Sequence, residues 1–239
     1  MSTIIINSIY KSFVSGLRRK RIIAVEDVSF SIKSGDVYGI IGRNGAGKSS
    51  ILKMLLGFIK PDSGKISIYG KPPIDPSSRQ KIGYLPENPY FYDHLTAEEL
   101  LNFSTSASGI NRNIAKSNID NLLKRVGLFE VKKQRLRTYS KGMTQRAGLC
   151  FALVHDPEIV ILDEPMSGLD PLGRKMVIEL INDLKNRGKT ILFCSHILND
   201  VERICDQVAV MDKGKLLAVF TKDQITSGME DMFFNVIGR

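Results

Sequence analysis

The sequence predicts an α/β fold: a parallel-sheet core with a β-rich N-terminal part and an inserted helical subdomain. Three observations carry that expectation. The runs "PEIVILDEP" and "GKTILFCSH" are short and almost wholly apolar, as central parallel strands covered on both faces are. Between them lies "DPLGRKMVIELINDLKNRG", a helical pattern, and strand–helix–strand connectivity implies parallel pairing. Earlier, "GDVYGIIGRNGAGKSSILKMLLGFI" reads as strand, glycine loop, helix.

Each element has its own local warrant. "TIIINSIYKSF", "RIIAVEDVSFSI" and "GKISIYG" are rich in β-branched residues and bounded by turn formers, so they read as strands. The helix between the two apolar runs opens on Asp170 as N-cap with Pro171 at the first position, and Gly188 ends it. Leu172, Met176, Leu180 and Leu184, beside Val177 and Ile181, predict one buried stripe. From about Asn88 to Asp156 the chain turns helical. "LTAEELLNF" opens with a capping box, Thr96 and Glu99, and "NIAKSNIDNLLKRVG" closes at Gly127. "QVAVMDKGKLLAVF" reads as a hairpin turning at Lys213-Gly214. The expected organisation is a single domain, 1–239, with residues 1–87 and 157–239 as the α/β core and 88–156 as the helical subdomain.

Bulk properties narrow the class. The length of 239 residues suits one core with an insert, and 43% hydrophobic with 25% charged residues is ordinary globular composition. No apolar run is long enough to cross a bilayer, and "MSTIIINSIYK" lacks the layout of a secretory signal, so a cytosolic chain is expected. Cys150, Cys194 and Cys205 lack CxxC spacing and read as reduced core thiols; the three histidines are too dispersed for a metal site. The net charge of +9 suggests contact with a polyanion. Part of it lies in "LRRKR" (Leu17 to Arg21) and in Arg125 to Arg137. Both read as solvated surface rather than a nucleic-acid patch, because neither carries the series of interleaved aromatics that a stacking platform requires; Phe129 is the single aromatic within 125–137.

The chemistry is written at strand ends. "GRNGAGKS", Gly42 to Ser49, matches G-x-x-x-x-G-K-[ST] in the strand–loop–helix context that gives the pattern meaning. Glycines let backbone N–H groups wrap phosphates, Lys48 reaches the β- and γ-phosphates, and Ser49 holds Mg²⁺. In "IVILDEP", Asp163 ends a buried strand and is placed to hold Mg²⁺, while Glu164 is placed to polarise an attacking water. His196 follows another strand, where open α/β sheets bind ligands. "YSKGMTQR", Tyr139 to Arg146, opens a further helix whose free N–H groups suit an anion. No N-K-x-D base-reading motif occurs, which disfavours a GTPase.

Taken together and in this order, the phosphate loop, "YSKGMTQR", "IVILDEP", "SGLD" and the strand-end histidine resemble the ATP-binding cassette family over nearly the whole chain. Within it the chain resembles ATPase subunits of transporters whose membrane subunits are separate polypeptides, and "GYLPENPYFYDHLT" is similar to export-type members. The resemblance implies a P-loop NTPase (RecA-like) parallel-sheet core with an N-terminal antiparallel β-subdomain and an inserted helical subdomain, ATP and Mg²⁺ as ligands, and ATP hydrolysis coupled to transport. It implies nucleotide contacts from Gly42, Arg43, Asn44, Gly45, Ala46, Gly47, Lys48, Ser49 and Ser50, with adenine stacking on Phe13 or, more weakly, Tyr10. Ser140 and Gly142 would contact ATP held by a second copy, with Asp170 across the same interface. The implied partners are another ATPase subunit, identical or not, and an integral membrane permease; no direct nucleic acid is expected. The implied location is cytoplasmic, peripheral on the membrane. Three residues depart from the family pattern. Glu87 replaces a glutamine, though a carboxylate still binds Mg²⁺ or water; Lys141 replaces a glycine and Met143 a glutamine. The rival readings are a non-transport member acting on nucleic acid or ribosomes, and a nucleotide-sensing module without turnover.

Overall fold

The computed structural model describes residues 2–15, 20–225 and 228–238. Of the basic run Leu17 to Arg21, the part from Leu17 to Arg19 lies outside the described residues. In chain order the elements are β1 (Ser2–Ser15), β2 (Lys20–Lys33), β3 (Val37–Gly42), α1 (Lys48–Leu55), β4 (Ser63–Ile68), the single turn α2 (Pro76–Arg79), β5 (Ile82–Leu85), α3 (Ala97–Ala107), α4 (Arg112–Arg125) and α5 (Lys141–Leu153). They continue with β6 (Ile159–Asp163), α6 (Pro171–Asn186), β7 (Thr190–Ser195), α7 (Leu198–Ile204), β8 (Gln207–Asp212), β9 (Lys215–Thr221) and α8 (Met229–Ile237). They fall into two compact units, one of residues 1–79 with 185–239, the other of residues 80–184.

The first unit holds two sheets. β2, β1 and β4 form an antiparallel sheet in that spatial order, with Ile4 opposite Ile32 and Phe13 opposite Ile22. Its inner face buries Ile4, Ile6, Ile9, Val25, Val28 and Ile32, the β-branched residues that marked these segments as strands. In the second sheet β3 runs parallel between β7 and β8, and β9 closes the edge antiparallel to β8. Every residue of β3 and β7 is buried, which is why neither alternates. β9 alternates between exposed and half-buried positions, as an edge strand does. The β8–β9 turn is at Lys213 and Gly214, both with positive φ (46° and 83°), the geometry of a type I′ hairpin.

The second unit pairs β5 and β6 in parallel and lays helices against them. The fit leaves no room for side chains at two glycines. A Cβ on Gly83 would stand 2.1 Å from the Ala152 carbonyl oxygen, and one on Gly148 would stand 2.7 Å from Leu85 Cδ1. So α5 rides directly on β5, and the helices of 97–154 share one compact unit with these strands. Their common core includes Leu101, Ile119, Leu123, Ala147, Cys150 and Val154. Thr96 caps α3 with the reciprocal Glu99 contact, and Gly127 follows α4 with φ +67°.

Two cations of the basic run 125–137 are engaged within its own unit, while Lys133, Arg135 and Arg137 are exposed. Arg125 pairs with Asp183 at 2.7 Å; Lys132 bridges Asp120 at 2.6 Å and Glu98 at 3.0 Å while resting 4.4 Å from the Phe129 ring centroid.

One expectation needs correction. Leu172 is not part of the α6 stripe: it is 77% exposed, whereas Val177, Leu180, Ile181 and Leu184 are buried. It stands in the first turn, ahead of the point where Met176 meets the helical core, so spacing alone put it on the right face but too near the end. β5 and the helices α7 and α8 have no counterpart in the sequence expectations; a four-residue strand containing Gly83 carries too little periodicity to read.

Cys150, Cys194 and Cys205 are all buried, and burial pushes the Cys150 thiol up to about 12. The native protein should therefore react negligibly with Ellman's reagent at neutral pH, and release about three equivalents only after denaturation. Rapid native labelling would contradict this packing.

Candidate active site

In the first unit, β3 delivers the chain into the loop Gly42–Gly47 and α1 carries it away. Two glycines there are sterically required. A Cβ on Gly42 would lie 2.3 Å from the Met211 carbonyl oxygen of β8, and one on Gly47 would lie 2.4 Å from that of Ala24 in β2. Gly47 also has φ +103°, and Gly45 has φ +82°. The β8–β9 turn braces the loop: Gly214 N–H donates to Ala46 O at 3.1 Å, and Glu26 N–H donates to Gly214 O at 2.8 Å. Lys48 is 7% exposed; its ammonium donates to Gly42 O at 2.6 Å and Arg43 O at 3.3 Å. The charge is thus held at the loop by its own carbonyls. Arg43, Asn44, Gly45 and Ser49 are exposed, Ala46 is buried, and Gly47 and Ser50 are half-buried.

Phe13 sits on β1, 41% exposed, with the Lys11 ammonium 5.6 Å from its ring centroid; Tyr10 is 38% exposed. A clamp not anticipated from sequence fixes this part of β1. Asp62 accepts from Lys11 Nζ at 2.7 Å and from the Ser12 N–H and hydroxyl, both at 2.8 Å. The Lys11 and Ser12 bonds hold the Asp62 carboxyl down at about 2, so this clamp persists at ordinary pH and is lost only as pH falls through that range. His196 is exposed directly after β7, where Ser195 Oγ accepts from Ile197 N–H at 3.0 Å and turns the chain toward α7.

In the second unit, β6 is buried along its length and ends on Asp163, 7% exposed, and then Glu164, 8% exposed. Glu164 has φ +48°, a left-handed conformation unusual for a non-glycine residue. The Gln145 side-chain amide, from α5, donates to Glu164 O and Pro165 O, each at 3.3 Å. Ser140 is the N-cap of α5, its hydroxyl accepting from Met143 N–H at 3.2 Å. A Cβ on Gly142 would stand 3.3 Å from Gly168 O, and one on Gly168 would stand 2.9 Å from Lys141 Cδ. The start of α5 therefore packs against the "SGLD" turn, and the Lys141 stem lies along it. Asp170 caps α6 by accepting from Gly173 N–H at 2.8 Å, and Glu87 is exposed two residues after β5. Gln145 had no assigned role from sequence. The one available signal was its place two residues after Met143, on the buried side of a helix whose start was already marked as a site.

A glycine loop between a buried parallel strand and a helix, with an acid pair ending another parallel strand, defines a P-loop NTPase fold that also carries an antiparallel β-subdomain. The profile of the ABC transporter family matches residues 25–167. An uncharacterised ABC transporter ATP-binding protein of Synechocystis is 48% identical over 83% of this chain and 56% of its own length. The bacitracin transport ATP-binding protein BcrA of Bacillus licheniformis is 42% identical over 84% of this chain and 66% of its own. The chain thus spans between about half and two thirds of the length of these relatives. The solved structure of an ATP-binding subunit of an ABC transporter superposes with a TM-score of 0.90 at 29% identity, covering 99% of this chain and 100% of that one. The chain belongs to the ABC transporter family.

Replacing Gly47 with Ala forces a Cβ into the Ala24 carbonyl and a left-handed φ onto a residue that resists it. The unfolding free energy in urea should drop by roughly 1–3 kcal/mol. An unchanged urea midpoint would show that the loop is not packed this tightly.

Proposed function

We propose that the chain binds and hydrolyses MgATP and thereby powers a separate membrane-spanning transport subunit. The observation that carries this reading is the loop 42–49. Its backbone tolerates no side chain at Gly42 or Gly47, and a nearly buried ammonium rests on its own carbonyls. A cation parked on neutral acceptors exchanges them readily for phosphate oxygens, which bear full charge. Lys48 then neutralises the β- and γ-phosphates, loop N–H groups at residues 43–50 cradle them, and Phe13 stacks on adenine.

The donor set also suits magnesium. Among the described residues no cluster of three or more His, Cys, Asp or Glu could hold a metal. A hard ion that keeps waters and phosphate oxygens needs few protein oxygens, and the family resemblance supports the Ser49 hydroxyl and the carboxylates of Asp163 and Glu87 as the groups that would hold it, directly or through water. Bound there, magnesium supplies charge neutralisation across the phosphates. Glu164 polarises a water and His196 orients it. The water oxygen attacks the γ-phosphorus, the bond from that phosphorus to the β,γ-bridging oxygen breaks, and ADP and phosphate leave.

Two copies complete the site. Ser140 and Gly142 at the start of α5 address the γ-phosphate held by the other copy, with Asp170 across the same interface. The triphosphate bridges the copies, and its loss lets them part. Among the described residues no helix is long and apolar enough to cross a membrane, and the second unit presents a groove of about 650 Å³ lined by Tyr90, Phe91, Tyr92, Leu95, Phe103 and Phe151. Tyr90, Tyr92 and Phe103 are 90%, 71% and 66% exposed. Aromatic exposure of this kind fits a docking surface for the membrane subunit. Export is the direction that the "GYLPENPYFYDHLT" resemblance supports.

Glu164→Gln should lower ATP turnover by about 10²–10⁴-fold yet leave a dimer in saturating MgATP by light scattering. Lys48→Ala should reduce turnover by about 10²-fold or more through lost phosphate stabilisation. A Lys48→Ala protein with unchanged turnover would refute the phosphate-loop assignment. Tyr90→Ser with Tyr92→Ser should remove the integral membrane protein that co-purifies from detergent extracts. Retention of that protein at wild-type yield would move the docking surface elsewhere.

A further inference from the structure

Gln145 is 1% exposed, one turn past the Ser140 cap on α5. Its Nε2 donates to Glu164 O and Pro165 O, each at 3.3 Å; carbonyls only accept, which fixes the nitrogen on their side. Glu164 O also accepts from Ser167 N–H at 3.0 Å. The peptide that follows the carboxylate residue is thus gripped from two sides, at a residue whose φ is +48°. A left-handed conformation outside glycine persists only where its surroundings over-determine it. The same helix touches the same connection again one turn earlier, where Gly142 packs against Gly168 O. Hence α5 holds the segment 164–168 at two points, one beside the acid and one beside the Ser140 end.

The geometry points to Gln145 as a positioning residue for hydrolysis. It locks the left-handed turn that aims the Glu164 carboxylate, and it makes that aim depend on the seating of α5, whose first turn addresses the other copy's nucleotide. Gln145 touches no substrate; it acts through Glu164. The inference rests on the hydrolytic reading and deepens it, supplying a direct physical link between engagement of the second copy and activation of water. A buried amide that merely satisfied two carbonyls would have the same contacts but a different kinetic signature.

Gln145→Met nearly conserves volume and removes both donors. Assayed beside wild type and Glu164→Gln, it should lower kcat by about 10- to 100-fold, the scale expected of a misplaced catalytic group, with KM for ATP within about threefold. In the Glu164→Gln background it should add no further loss, because both changes disable one step. A kcat within about threefold of wild type would overturn the inference, and so would a loss that multiplies undiminished in the Glu164→Gln background. If the Met variant does not fold, Gln145→Asn replaces it under the same criteria, since it keeps the amide but falls one methylene short. A wild-type chain without ATPase activity, or a fully active Glu164→Gln variant, would instead refute the hydrolytic reading and this inference with it.

Discussion

A nearly buried ammonium with neutral oxygens for company is the constraint around which the first unit is organised. Lys48 can sit on Gly42 O and Arg43 O only because the loop between them closes tightly. The loop closes tightly because neither Gly42 nor Gly47 carries a side chain. The space is taken by backbone, that of Met211 in β8 at Gly42 and that of Ala24 in β2 at Gly47, while the β8–β9 turn hydrogen-bonds to Ala46. Strand β2 of the antiparallel sheet and strand β8 of the parallel sheet therefore both abut this one loop. Packing there does more than stabilise: it presets the N–H groups that an anion would otherwise have to order at an entropic cost.

The second unit is organised around a different constraint, the left-handed turn at Glu164. Strain of that kind survives when neighbours hold it, and α5 is the neighbour. The helix can come close enough because Gly148 and Gly83 remove the side chains that would separate α5 from β5. Small residues along one helix thus let a single long side chain, Gln145, reach the carbonyls after the acid pair. Lys141 shows how a departure from the family pattern is absorbed. Its stem lies along Gly168, so the extra bulk goes over the neighbouring turn, and the cap at Ser140 keeps its bond to Met143 N–H.

Local signals were readable wherever one residue type has one physical use. Thr96 with Glu99 reads as a capping box, Lys213-Gly214 as a tight hairpin and Asp170-Pro171 as a helix start. All three form as the side chains dictate. Buried parallel strands were readable because unbroken apolar runs have few other homes. Leu172 illustrates the limit of that reading. Periodicity assigns a face but not how far along the axis the core extends, and the first turn of α6 lies beyond it. Gln145 illustrates another: its two partners lie 19 and 20 residues downstream, across a strand boundary that no spacing rule encodes.

The amino-acid order by itself determined the glycine loop between β3 and α1, the acid pair at the end of β6, the helix caps and the alternation of strands with helices. These depend on backbone conformations and hydrogen bonds among residues close in sequence. Tertiary structure alone decided which glycines are sterically obligatory, that Asp62 clamps Lys11 and Ser12 next to Phe13 in the chain, and that α5 grips the turn after β6. Each of those is a meeting of segments far apart in the chain, and its energy depends on close approach in space.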